Sequence, residues 1–201
     1  AADHEKKELH AICLDASTGK PRWSKMVSKG RVHLDDRSDF ATPSPVTDGK
    51  RVAFFFGNGE LVIFNMEGKE EWRKNLIPEG GEYFAFQWTF STSPILSGDN
   101  LIMQILQRDV PFKYGEISRG TAGATHIPSY LVAFDFATGE QRWKVDRPAE
   151  AVAESLEAFT TPVLSRTADE GGDLQLLVAG GDALTGHDPT NGKELWRWGT
   201  W

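Results

Sequence analysis

Four times along this chain a tryptophan stands four residues after a glycine, and each time the glycine closes a polar turn behind an apolar run. The copies are Leu9 to Trp23, Leu61 to Trp72, Leu131 to Trp143 and Leu184 to Trp196. Three read Asp-x-x-x-Gly-x-x-x-Trp (Asp15-Gly19-Trp23, Asp135-Gly139-Trp143 and Asp188-Gly192-Trp196), and the fourth reads Asn65-x-x-Gly68-x-x-x-Trp72. Successive tryptophans lie 49, 71 and 53 residues apart. Repetition on that scale means supersecondary units, none of which covers its own apolar face, stacked so that neighbours cover each other. The long interval implies an insertion of roughly 20 residues in the third unit.

A second element precedes three of the copies: Thr42-Pro-Ser-Pro45-Val46, Ser91-Thr-Ser-Pro94-Ile95 and Phe159-Thr-Thr-Pro162-Val163. Each leads through a polar turn into an apolar strand, at Arg51 to Phe56, Asn100 to Leu106 and Leu174 to Ala179. The unit is therefore a Pro-marked strand, two apolar strands, a turn and a Trp strand. Four short strands per roughly 50 residues make a propeller blade. The twenty glycines, ten prolines, twelve phenylalanines and seven tryptophans agree with many short strands rather than long helices.

In the turn, the Asp side chains are placed to accept backbone N–H bonds two residues on. The glycines supply positive φ. The Asn65 turn is one residue shorter, so its type should differ. Trp23, Trp72, Trp143 and Trp196 fall on the outermost strands. Burying an indole against the next sheet hides roughly 150–250 Å², an upper bound of about 4–6 kcal/mol. They are read as mortar between sheets rather than as substrate platforms.

Asp-x-x-Thr-Gly-x-x-x-Trp on this period resembles the tryptophan-docking repeat of the quinoprotein (PQQ-like) β-propellers. That family includes quinoprotein alcohol dehydrogenases and the non-enzymatic propeller lipoprotein of the BAM complex. The stretches Asp36 to Pro45 and Thr185 to Trp198 look closer still to PQQ-like repeat proteins of planctomycetes. A WD40 propeller is disfavoured because no Gly-His…Trp-Asp pair recurs. The expected fold is all-β, a partial propeller of four-stranded antiparallel blades. It forms a single region, 1–201, with units near 1–28, 40–76, 88–147 and 157–201. Three full units and a leading hairpin amount to about 3.5 blades, fewer than the roughly seven or eight of the quinoprotein rings. The expected partner is therefore the remainder of a propeller, or another chain that covers open edges.

The formal charge of −7 argues against nucleic acid as a partner, and no apolar run is long enough to span a bilayer. Ala1 to Glu8 is polar and is not a signal peptide. Export to the periplasm or outside the cell is implied by the resemblance alone. Cys13, the one cysteine, forms no internal disulfide and reads as a small core residue. No Walker loop, HExxH, GxSxG or Rossmann fingerprint is present.

In a propeller the loops between blades share a face with the loops between second and third strands, the usual ligand surface. Those loops here run over 28–40, 77–88, 107–129 and 148–158. His33, Asp36, Arg37, Trp88, Arg108, Asp109 and His126 are the candidate ligand residues. The plainer reading of 28–40 is a solvated polar loop whose ion pairs contribute little. For 107–129 the rivals are a lid or partner loop and family decoration. The alternation in Glu82 to Trp88 fits a core strand better than a stacking platform. A short helical turn is expected near 150–157, and Glu154 with Glu157 forms a carboxylate pair only by proximity. His187 sits where the other copies have Leu14, Phe64 and Phe134, so it reads as a structural imidazole.

With no catalytic or metal-ligand residue to assign, the leading expectation is a non-catalytic binding or scaffold propeller of an exported bacterial protein, with no cofactor. The alternative is a quinoprotein dehydrogenase holding PQQ and Ca²⁺, which the lone Cys13 and the absence of matching ligands disfavour. A second alternative is a carbohydrate-binding or carbohydrate-active propeller, suggested by the aromatic segment and the charged loops, with a small molecule or glycan as its partner.

Overall fold

The computed structural model describes residues 1–167 and 172–199. Apart from one 3₁₀ turn, its regular structure is β throughout. The first sheet contains β1 (Ala2–Asp3), β2 (Glu8–Leu14) and β3 (Pro21–Lys29). The second contains β4 (Val46–Thr47), β5 (Arg51–Phe55), β6 (Glu60–Asn65) and β7 (Glu70–Asn75). The third is made of β8 (Ile95–Ser97), β9 (Asn100–Ile105), β12 (Tyr130–Asp135) and β13 (Gln141–Asp146), with a separate ribbon, β10 (Phe112–Tyr114) and β11 (Ile117–Arg119), inserted between β9 and β12. The fourth holds β14 (Val163–Arg166), β15 (Leu174–Gly180), β16 (Ala183–His187) and β17 (Glu194–Gly199). Every full sheet is an antiparallel meander in chain order, the form of a propeller blade. The leading unit is more than the expected hairpin: β1 adds a third strand, pairing Ala2 with Leu9 and Asp3 with Glu8.

The middle strands are buried on both faces, and their period of two sorts them into separate cores. Leu61 and Ile63 of β6 pack with Leu101 and Met103 of β9 and Val132 and Phe134 of β12. Val62 and Phe64 of β6 turn the other way, onto Leu9, Ala11 and Val27 of the first sheet. Leu131 and Ala133 of β12 meet Leu176 and Val178 of β15. An unbroken apolar run is what a strand with a sheet on each side requires.

The turns follow from their residues. Gly19, Gly68, Gly139 and Gly192 have φ of 69, 79, 75 and 78°. In the Asp copies the glycine N–H bonds back four residues, as from Gly139 to the Asp135 carbonyl at 2.8 Å; in the shorter copy Gly68 bonds back three, to Asn65. The turn type differs as the missing residue requires. Asp135 Oδ1 also accepts the amides of Ala137 and Thr138.

Those glycines receive the tryptophans of the preceding sheet. A Cβ on Gly68 would lie 2.8 Å from Trp23, one on Gly139 2.8 Å from Trp72 and one on Gly192 2.6 Å from Trp143. Trp23 Nε1 donates to the Met66 carbonyl and Trp72 Nε1 to that of Phe136, each at 3.0 Å. Among the described residues Trp143 Nε1 meets no acceptor, and the Pro189 carbonyl, which follows Asp188 as Phe136 follows Asp135, takes the Asn100 amide instead. Trp196 departs from the expected arrangement. No further sheet follows β17 among the described residues, and the indole lies on its own sheet over Gly186, with Nε1 on Gln175 Oε1 at 2.8 Å. Its cross-strand neighbour is a glycine where the other copies have Cys13, Ile63 and Ala133, which leaves room for the ring to fold flat. Gly19, at the other end, has nothing within 4 Å of a Cβ position.

Candidate functional site

The loops that leave the sheets interlock around the segment 82–90. It forms no strand, contrary to the alternation of its aromatics, but Tyr83, Phe84, Ala85, Phe86 and Phe90 are buried, as the core reading requires. The Phe84 and Phe86 rings each lie 5.3 Å from Phe90, Phe86 edge-on, and Phe55 meets Phe90 edge-on at 5.2 Å. A buried backbone without ladder partners must satisfy its amides elsewhere. Ala85 N donates to Gln107 Oε1 at 2.9 Å, Gln87 N to Glu157 Oε2 at 2.9 Å and Thr89 N to Asp35 Oδ2 at 3.2 Å. The segment is thus held by side chains from three other loops.

Trp88 is the junction. Arg37 lies over its ring at 4.0 Å, Tyr114 meets it edge-on at 5.1 Å and its Nε1 donates to Glu154 Oε1 at 3.1 Å. Glu154 belongs to the 3₁₀ turn Ala153–Leu156, the helical turn anticipated there. Arg31, Asp35, Asp36, Arg37, Trp88, Tyr114, Glu116 and Ile117 line a shallow groove of ≈ 560 Å³ across this junction.

Beside it, Arg108 donates Nε to Glu157 Oε1 at 2.5 Å and Nη2 to Gln87 Oε1 at 2.6 Å, and lies over the Phe112 ring at 4.0 Å. The Glu157 side chain is completely buried, and burial pushes its carboxyl above the ordinary range in spite of the Arg108 hydrogen bond. Glu157 is therefore the counter-ion of Arg108, and Glu154 the acceptor for Trp88.

The other candidates fall in different places. His33 Nδ1 is 3.0 Å from the Asp35 carbonyl, its ring 5.3 Å from that of His4, and Asp36 is fully exposed. Asp109 and His126 line a separate cavity of ≈ 230 Å³ with Gln107, Asp146 and Leu156. His187 is buried, 3.0 Å from the Gly192 carbonyl and 2.9 Å from Thr185 Oγ1, and burial lowers its pKa. Among the described residues no three His, Cys, Asp or Glu side chains converge as cation ligands. Sequence reasoning missed Tyr114 and Glu154 as partners of Trp88, and Asp35, Gln107 and Glu157 as supports of the buried segment. No local pattern marks them, because their partners sit in other repeats.

A family model described as outer membrane protein assembly factor BamB matches residues 4–118 and 121–198. No curated protein matches the sequence. Among solved structures the chain is similar to quinohemoprotein alcohol dehydrogenase ADHIIG from Pseudomonas putida HK5 at 14% identity and TM-score 0.57, covering 94% of this chain and 31% of that one. It is similar to quinohemoprotein alcohol dehydrogenase from Comamonas testosteroni at 16% identity and TM-score 0.55, covering 94% and 32%. It also matches BamB from Moraxella catarrhalis at 14% identity and TM-score 0.47, covering 90% and 40%. At these identities the likeness to the dehydrogenases is one of β-propeller fold. The chain spans about a third of their length.

Proposed function

From the premise that the chain belongs to the PQQ-like repeat family described as outer membrane protein assembly factor BamB, we propose that it is a non-catalytic propeller scaffold that binds another protein through its interlocked loop face. The observation that carries this reading is the groove at Trp88. Trp, Tyr and Arg are the residue types that dominate protein–protein hot spots, and here Trp88, Tyr114, Arg37 and Arg31 stand together on one groove. They are pre-positioned by loops that pack on one another, which lowers the ordering cost of binding. The family description, an assembly factor, agrees with a protein partner. We place the protein in the periplasm or outside the cell on the same family ground.

A second partner follows from the indole-on-glycine contacts, which support a tryptophan-docking propeller. Gly19 is the half of such a contact that nothing among the described residues completes, and the remainder of a ring or another chain is the occupant that would complete it.

We infer that the described residues do not by themselves make a site for PQQ with Ca²⁺. The described carboxylates form no cation cluster, and Cys13 is the one cysteine. Arg37 covers Trp88 and Tyr114 meets it edge-on, so neither a quinone nor a sugar is offered an open indole sandwich. The test is a titration of the purified protein with PQQ and CaCl₂, read by tryptophan fluorescence and dye-linked alcohol oxidation. Unchanged emission and no oxidation are expected. Tight quenching together with alcohol oxidation would overturn the reading in favour of a dehydrogenase.

A further inference from the structure

The turn between β1 and β2 meets the loop that leaves β3. Gly30 N donates to the Lys7 carbonyl at 2.8 Å and ties the two segments together. Val32 is buried in the core of the first sheet, while Arg31 before it is exposed and His33 after it half-exposed. The His4 and His33 rings stand 5.3 Å apart across the junction. His4, Lys7, Gly30, Arg31, Val32 and His33 line a cavity of ≈ 370 Å³. In a chain of formal charge −7, every titratable side chain on this lining is basic. Asp36 and Asp39, which approach the His33 and His4 rings, line a neighbouring hollow instead.

These basic groups are not consumed by internal pairing. Lys6 and Lys29, on the same sheet, pair with Asp3 at 3.4 Å and Glu8 at 3.2 Å. Among the described residues neither Lys7 nor Arg31 has a carboxylate within 4.0 Å. Lys7 also holds a strained backbone. Its φ is 56°, and Ala153 is the other non-glycine residue with positive φ among the described residues. Glycine adopts that conformation without steric penalty. Strain of this kind clusters at functional positions, and what a glycine here would lack is the ammonium at the cavity. The two histidines are each engaged on one nitrogen. His33 Nδ1 donates to the Asp35 carbonyl at 3.0 Å, and His4 Nε2 donates to Asp39 Oδ2 at 3.4 Å. The second nitrogen of each ring has no protein partner among the described residues, and it becomes a donor once the ring is protonated.

We propose that this cavity binds an oxyanion, held by the Lys7 ammonium and the Arg31 guanidinium, with His4 and His33 as further donors when protonated. Lysine serves an oxyanion as a point charge and arginine as a planar fork. A cleft lined by one sign of charge concentrates counter-ions of the other. The oxyanion is either a free inorganic anion or a carboxylate of an acidic peptide segment. Arg31 lines the Trp88 groove as well, which puts the cavity beside any protein docked there. The site does not rest on that docking, because a free anion needs no protein partner.

The experiment titrates the purified chain with sodium sulfate and with tetraglutamate, at an ionic strength held constant with sodium chloride, by calorimetry and amide NMR shifts. Wild type, Arg31→Gln, Lys7→Gln and Lys7→Gly are compared. Saturable binding with shifts centred on residues 4–7 and 30–33 is expected. A lower Kd for sulfate identifies a free anion, and a lower Kd for tetraglutamate an acidic segment. Arg31→Gln and Lys7→Gln should each raise Kd about tenfold. Lys7→Gly should raise it as much while melting above the wild type, a combination that a purely structural lysine does not produce. Sulfate keeps its charge between about pH 7.5 and 5.5, so its affinity should rise several-fold over that fall as His4 and His33 take up protons. No saturable binding of either probe at about pH 5.5, or an unchanged Kd in both Arg31→Gln and Lys7→Gln, overturns the site.

Discussion

Replacing each of the four turn glycines by alanine separates backbone strain from the indole contact. The four have nearly the same φ, between 69 and 79°, so the conformational penalty of a Cβ is common to all, about 1–2 kcal/mol. What differs is the space. A Cβ on Gly68, Gly139 or Gly192 arrives within 2.6–2.8 Å of an indole atom, whereas one on Gly19 meets nothing within 4 Å. Overpacking a filled contact adds about 1–3 kcal/mol. Gly19→Ala should therefore destabilise by about 1–2 kcal/mol and the other three by about 2–5. At roughly 2–4 °C per kcal/mol for a domain of this size, the gap is about 2–12 °C in Tm. Urea and thermal unfolding of the four variants by circular dichroism measures it. Four equal shifts, or a larger one at Gly19, would refute the view that these glycines exist to admit a tryptophan.

Trp72→Phe removes a made hydrogen bond and leaves the Phe136 carbonyl without it, while Trp143→Phe removes a donor that has no acceptor; the first should destabilise by about 1–3 kcal/mol more, measured as a difference in urea midpoint. Glu157→Leu strands Arg108, and because Arg108 keeps some solvent the loss should fall near 3 kcal/mol, with the melting temperature as readout. Hydrogen bonds from Arg142 and Thr138 bring the Asp135 pKa down to about 2, below its usual 3.8. A carboxylate depressed on folding contributes fully above the unfolded pKa and loses that contribution as pH falls through the folded one. Stability should accordingly decline between about pH 4 and 2, and Asp135→Asn should flatten that part of the profile.

The strand order and the turn chemistry were legible because each is written inside one repeat. Asp135, Gly139 and Trp143 are spaced by the geometry of a single hairpin. The loop face was not legible to the same degree, because its contacts run between repeats. Nothing near Trp88 names Tyr114, Arg37 or Glu154, which approach only after three sheets have stacked. The segment at 82–88 was misread as a strand for a related reason. Alternating aromatics serve a buried loop as well as a sheet, and the deciding fact was the supply of acceptors from Asp35, Gln107 and Glu157. Trp196 shows the converse: its motif is intact, yet its position is set by Gly186 across the hairpin.

That same trio of acceptors has an evolutionary consequence. A change at position 35, 107 or 157 would displace the aromatic floor without altering any residue in it, so those positions are poor places to diversify specificity. Rim residues with no such duty, Asp36 and Glu116 among them, can vary at little structural risk. Divergence among descendants of this sequence should accumulate at the rim first, over a foundation that drifts slowly.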